Sequence, residues 1–140
     1  MSVDICFFDT NILVYFYTKN EPDKKSIVAS LIDSCTSVYI STQVINEFTN
    51  VMHRKHQASY HDIAKALNEE ILLQFDVTLL TVDTIKAALL VADKYKYSYY
   101  DSLIVASALE CGASILCSED MHNDHLVEKK LRITNPFRRS

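Results

Sequence analysis

An α/β fold built around a mainly parallel sheet is what the sequence predicts, and three observations predict it. Short apolar runs rich in β-branched and aromatic residues alternate with longer segments of helical spacing. The runs are apolar at nearly every position, as strands covered on both faces are. One glycine and two prolines in 140 residues leave room for short connections within a single unit, residues 1–140.

The elements follow in order. Asp4–Phe8 is the first strand, and "NILVYFY" after it turns into a helix. "PDKKSIVASLIDSC" starts beside Pro22, a residue suited to a first helical turn. Ser37–Ile40 is the second strand, and "TQVINEFTNVMHRK" repeats apolar residues at Val44, Phe48, Val51 and Met52. "SYHDIAKALNEEILLQF" sets Ile63, Leu67 and Ile71 on one stripe before a third strand, Val77–Leu80. "TVDTIKAALLVADKYK" and "YDSLIVASALECG" are the last helices, the second closed by Gly112. Ser114–Cys117 and a weaker run, Leu131–Thr134, complete about five strands. Right-handed crossovers between such strands direct functional residues to the carboxyl ends of the sheet.

Composition narrows the class. About half the residues are hydrophobic, enough for a core without metal or disulfide staples. The four cysteines show no C-x-x-C pair or metal-ligand spacing, so free buried thiols are expected rather than disulfides. No apolar run is long enough to span a bilayer, and "MSVDICFFD" lacks the basic start of a signal peptide; a cytoplasmic protein with no membrane contact is the expectation. With 14 basic and 18 acidic residues the net charge is −4, so nucleic-acid binding needs a further source of positive charge.

Four carboxylates stand out by position. Asp9 follows the first strand; Asp, Thr and Asn also cap helices well, so "DTN" alone leaves a capping role open. Glu47 follows the second strand beside the stripe of Val44, Phe48 and Val51, where an ordinary surface glutamate is also compatible with the pattern. Asp101 opens a nearly all-apolar helix, again as a cap or as a functional group. Asp120 follows the strand "SILC" as Asp9 follows its own. Four acids from four segments at strand ends point to one shared site. Two unit charges 4 Å apart at an effective dielectric of 20 repel by roughly 4 kcal/mol, so such a cluster calls for a cation. Oxygen ligands without cysteine favour Mg²⁺ or Mn²⁺ over Zn²⁺, and a metal so held activates water for in-line attack on a phosphodiester.

The blocks "FFDTNILVY", "STQVINEF", "YYDSLIVASAL" and "LCSEDM" with "RITNPF" resemble, in this order and nearly end to end, the PIN-domain ribonucleases, and among them the VapC-type toxins of toxin–antitoxin pairs. The resemblance implies a PIN-like three-layer fold and a metal-dependent endoribonuclease. Asp9, Glu47, Asp101 and Asp120 match the family's acidic positions, supported by hydrogen bonds from Thr10, Asn11 and Ser41. It further implies an antitoxin partner that occludes the acidic cleft, and a homodimer. One departure is "HNDH" after "SEDM", which adds Asp124 as a candidate accessory ligand between His122 and His125. The histidines suit a zinc site only weakly and read as exposed loop residues.

Basic residues gather at "HRKH", His53–His56, and in the tail "EKKLRITNPFRRS"; the first cluster complements a helix dipole, contacts phosphate, or does both. The tyrosines of "YKYSYY" read as packing residues with polar tips, and no base-reading role is assigned to them. Other classes fit less well. A haloacid dehalogenase-type phosphatase wants a second aspartate two residues after the first, where this chain has Asn11, and a receiver domain wants an acidic pair and a late lysine. The alternative from a different class is a catalytically silent PIN-like module that binds RNA or a partner protein.

Overall fold

The structure is a computed structural model that describes residues 4–138; Met1–Val3 of the N-terminal stretch, and Arg139 and Ser140 of the basic tail, lie outside the described residues. Six strands form one sheet in the order β3-β2-β1-β4-β6-β5. They are β1 (Ile5–Phe8), β2 (Ser37–Ser41), β3 (Asp76–Thr78), β4 (Ile115–Cys117), β5 (Leu126–Val127) and β6 (Leu131–Thr134). All neighbours pair in parallel except the hairpin β5–β6. The five expected strands are present. The sixth, β5, is two residues long, too short to leave a period, and the third starts and ends earlier than its apolar run suggested.

Helices cover both faces. Phe7 and Phe8 point to opposite sides of β1 and neither is exposed, which explains why the strand is continuously apolar. α1 (Thr10–Tyr17), α2 (Pro22–Ser34) and α3 (Thr42–Lys55) are followed by α4 (Tyr60–Ala66), a π-helical turn (Leu67–Ile71) and α5 (Leu72–Gln74). The sequence reads 60–74 as one helix. A stripe spaced by fours drifts around a regular α-helix, and the wider π turn returns Ile71 to the core, where it is fully buried. α6 (Val82–Tyr95) and α7 (Tyr99–Glu110) pack against each other, and Gly112, at φ +76°, ends α7 in the left-handed conformation.

One expectation is corrected. Cys6 and Cys35 form a disulfide, whereas Cys111 and Cys117 are free thiols. α2 ends at Cys35 just before β2 sets off beside β1, and this return brings the two Cα atoms to 6.4 Å. Twenty-nine residues of separation carry no spacing signal for such a pair. No helix among the described residues is long and apolar enough to cross a membrane.

The chain reverses direction across the sheet at β1. From there it moves outward through β2 and β3, and it returns to the other side as β4. The crevice at the carboxyl ends of β1 and β4 is therefore a topological switch point, where open α/β sheets bind ligands.

Candidate active site

Asp9 stands at that switch point. Its N–H donates to Cys117 O at 3.0 Å, fastening the end of β1 to the end of β4. It caps α1, with Oδ1 accepting from Thr10 N at 2.7 Å, while Oδ2 accepts from Ser118 Oγ at 2.8 Å. Capping and a place at the cavity are thus combined in one residue. Asp9 keeps partial solvent exposure, yet burial of its carboxyl group pushes its pKa up to about 6. The hydrogen bonds from Ser118 and Thr10 oppose the rise, and the charges of Glu47 and Asp101 add to it.

Glu47 reaches the same cavity from α3, and its Oε1 accepts from Thr10 Oγ1 at 2.9 Å. Asp120, in the loop after β4, accepts on Oδ2 from Asn11 Nδ2 at 2.6 Å. Asp101 comes from the first turn of α7. The cap there is Ser98, whose Oγ accepts from Asp101 N at 3.2 Å, so the capping role left open for Asp101 belongs to Ser98 and the carboxylate is spare. All four acids line one cavity of about 200 Å³, together with Thr10, Asn11, Gln43 and Tyr100. Among the described residues, neither lysine nor arginine lines it.

The supporting residues divide. Thr10 and Asn11 hold carboxylates directly, as the resemblance implied. Ser41 caps α3 by accepting from Val44 N at 3.2 Å, so its help to Glu47 runs through the helix start. Ser118 escaped the sequence reading. It is fully buried, donates to Asp9 and accepts from Met121 N, and its only signal was a hydroxyl directly after a strand.

Asp124 does not line the cavity. It takes a left-handed φ of 72°, and its exposed carboxylate pairs with Arg132 at 3.3 Å. His122 is exposed, and His125 hydrogen-bonds the hydroxyl of Tyr97 and packs against Tyr95. Of "HRKH", His53, Arg54 and Lys55 form the last turn of α3, where positive charge complements the helix dipole.

Among the described residues, no three carboxylate, imidazole or thiolate groups already close around one point as a ready-made metal cage. The donor chemistry nevertheless fits Mg²⁺ or Mn²⁺: only oxygen donors, an excess of negative charge, and an Asp9 carboxyl whose pKa burial and the neighbouring acids push up.

Comparison with known proteins agrees with this fold. The family model for the PIN domain matches residues 6–127, and the chain belongs to the PIN-domain family. No curated protein matches the sequence. Among solved structures, a toxin–antitoxin complex from Klebsiella pneumoniae superposes with a TM-score of 0.69 at 16% identity, covering 94% of this chain and 98% of that one. VapC20 of Mycobacterium tuberculosis, a sarcin–ricin loop cleaving toxin, gives 0.62 at 18% identity, covering 79% and 86%. FitAcB of Neisseria gonorrhoeae gives 0.66 at 16%, covering 94% and 98%. At these identities the likeness is one of fold.

Proposed function

We propose that this chain is a divalent-metal-dependent endoribonuclease and the toxin of a toxin–antitoxin pair. The observation that carries the proposal is the meeting of Asp9, Glu47, Asp101 and Asp120, drawn from four segments, around a cavity that no lysine or arginine among the described residues lines. These four residues would hold Mg²⁺ or Mn²⁺. When bound, the metal offsets their charge, lowers the pKa of water and stabilises the oxygens of the phosphodiester under attack.

The chain's own residues do the rest. Thr10 bridges two acids, its N–H fixing Asp9 and its hydroxyl fixing Glu47. Ser118 holds the other oxygen of Asp9, and Asn11 orients Asp120. Carboxylates held this way need little further ordering to act together, which is the geometric basis of a preorganised site. An uncompensated acidic cavity excludes an RNA phosphate until its charge is neutralised, so metal binding and substrate binding are coupled.

A cognate antitoxin is the expected partner, supported by the toxin–antitoxin complex from Klebsiella pneumoniae among the structural relatives. Self-association is part of the same reading and agrees with Leu79, Val82 and Leu90, large apolar side chains left exposed on α6 and its approach. Cytoplasmic residence is part of the same reading.

End-group analysis of cut RNA tests the proposal. The expected products carry 5′-phosphate and 3′-hydroxyl ends and disappear in EDTA. Cyclic 2′,3′-phosphates, or undiminished cutting in EDTA, overturn it. A small neighbouring reading frame with a DNA-binding start and an amphipathic tail is the matching genomic observation for the toxin assignment.

A further inference from the structure

A second cavity, of about 420 Å³, opens beside the acidic one and shares three lining residues with it: Gln43, Glu47 and Tyr100. Its character differs. Leu80 and Leu103 supply apolar walls, Thr42 and Asn46 supply uncharged polar groups, and among the described residues Glu47 is the single charged one and no lysine or arginine takes part. A phosphate finds no counter-charge here, whereas a flat, neutral group with a polar edge finds both an apolar surface and hydrogen-bonding partners.

The groove is held in shape from two sides. Thr42 Oγ1 accepts from Leu80 N at 3.1 Å, which fixes the loop before α6 against the start of α3. Gln43 Nε2 donates to Tyr100 O at 3.3 Å, tying α3 to the first turn of α7. A carbonyl oxygen only accepts, so this contact sets which end of the Gln43 amide faces Tyr100. Its Oε1 then has no hydrogen-bond partner although Gln43 is only 8% exposed. An unpaired amide oxygen is tolerated there in return for holding Tyr100 and its neighbour Asp101 in register.

Tyr100 is 67% exposed at the junction of the two cavities, and Tyr99 meets its ring at 64°, so no parallel ring covers it. Exposed aromatic faces beside a backbone-cutting site are the usual platform for unstacked bases.

We infer that this groove seats one unpaired nucleobase adjoining the scissile phosphate, with Tyr100 as its stacking face, Asn46 as the group that reads its edge, and Gln43 as a positioning residue. The inference rests on the ribonuclease reading and deepens it. The shared residues Gln43, Glu47 and Tyr100 make the two cavities adjoin, so a nucleotide next to a phosphate at the four carboxylates has this groove within reach. The earlier expectation that the "YKYSYY" tyrosines only pack is thereby revised for Tyr100.

The test uses the full chain and RNA oligonucleotides spanning a mapped cleavage site. Tyr100→Ala is expected to raise KM about tenfold with kcat nearly unchanged, and Tyr100→Phe to restore it. An abasic nucleotide at one position flanking the cut should cost the parent protein a similar factor, with no further loss in Tyr100→Ala. Asn46→Ala should alter base preference at that same position. In the Asp101→Asn background, 2-aminopurine placed there should be quenched on binding, and the quench should vanish when Tyr100→Ala is added. Independent losses from the abasic site and Tyr100→Ala, or normal RNA cutting by Tyr100→Ala together with weakened protein-partner binding, overturn the inference in favour of a protein-docking groove. If the parent cuts RNA and Tyr100 is silent, only this inference fails; if the parent neither cuts nor binds RNA, the ribonuclease reading fails with it.

Discussion

Glu119 and Asp120 are neighbours in sequence, yet the fold treats them in opposite ways. Glu119 accepts from Tyr15 and from Lys24, whose ammonium also lies 4.6 Å from the Tyr15 ring centre and 5.2 Å from that of Phe137. Burial alone would raise its pKa, but the hydrogen bonds from Lys24 and Tyr15 and the lysine charge outweigh it and hold the group low. Asp120 faces the other way, into a cavity with three more carboxylates and no cation, and its partner is the neutral amide of Asn11. Asp124 repeats the first pattern through Arg132. The chain has cations within reach of this loop and spends them on Glu119 and Asp124. Acids left without a counter-charge beside acids that have one support the proposal that this cavity receives a positive ligand.

The strongest way to break this contrast is Asp101→Asn. Because Ser98 caps α7, the amide should leave the helix intact, abolish RNA cutting, and leave the metal-free protein as stable as the parent or slightly more so. Cleavage rates and thermal melts decide it, and a cutting rate near the parent's would make the carboxylate structural.

Next in size is the difference between Asp120→Asn and Asp124→Asn. The first should weaken Mn²⁺ binding and cutting severely. The second should change both less than a few-fold, since it removes one exposed partner of Arg132 outside the cavity. Metal titration of the two variants settles the ranking, and a reversed order would move the loop "HNDH" into the site.

Proton linkage at Asp9 sharpens the contrast in solution. A carboxyl group raised from 3.8 to about 6 binds its proton more tightly when folded, so its contribution to stability is greatest below about pH 4 and is lost as pH rises through 6. The full loss is at most about 3 kcal/mol. Denaturant melts of metal-free protein between pH 4 and 7.5 should show this slope in the parent but not in Asp9→Asn. Metal affinity should move in the opposite sense, falling below pH 6 as the proton competes.

The smallest expected effect belongs to the neutralised side. Lys24→Met should cost about 1 kcal/mol of stability, the scale of a partly exposed ion pair with ring contacts. Mn²⁺ affinity should stay within a few-fold of the parent's; a loss as large as that of Asp120→Asn would show that the two neighbours work as one unit.

Much of this molecule was legible in advance because its signals are local. The runs "ICFF" and "SVYI" are apolar throughout because both faces of the sheet are covered, and Asp9, Glu47 and Asp120 attract notice because a charge directly after such a run has few bland explanations. Asp101 was found for its place before an apolar helix, although its capping role went to Ser98, three residues earlier. The Cys6–Cys35 disulfide, the Lys24–Glu119 pair and the hydroxyl of Ser118 on Asp9 join residues 29, 95 and 109 positions apart, and no period or spacing reports such contacts.

By itself, then, the sequence determined the alternation of strands and helices, the parallel sense of the main sheet and the choice of four acids that turn out to line one cavity, since hydrophobic period and residue type are carried by neighbours along the chain. Only the tertiary structure decided which acids are neutralised and which are left bare, that Tyr100 stands open beside them, and that a second groove adjoins the first. Those properties depend on which cations, rings and amides the crossovers bring together through space, and the order of residues along the chain holds no record of that distance.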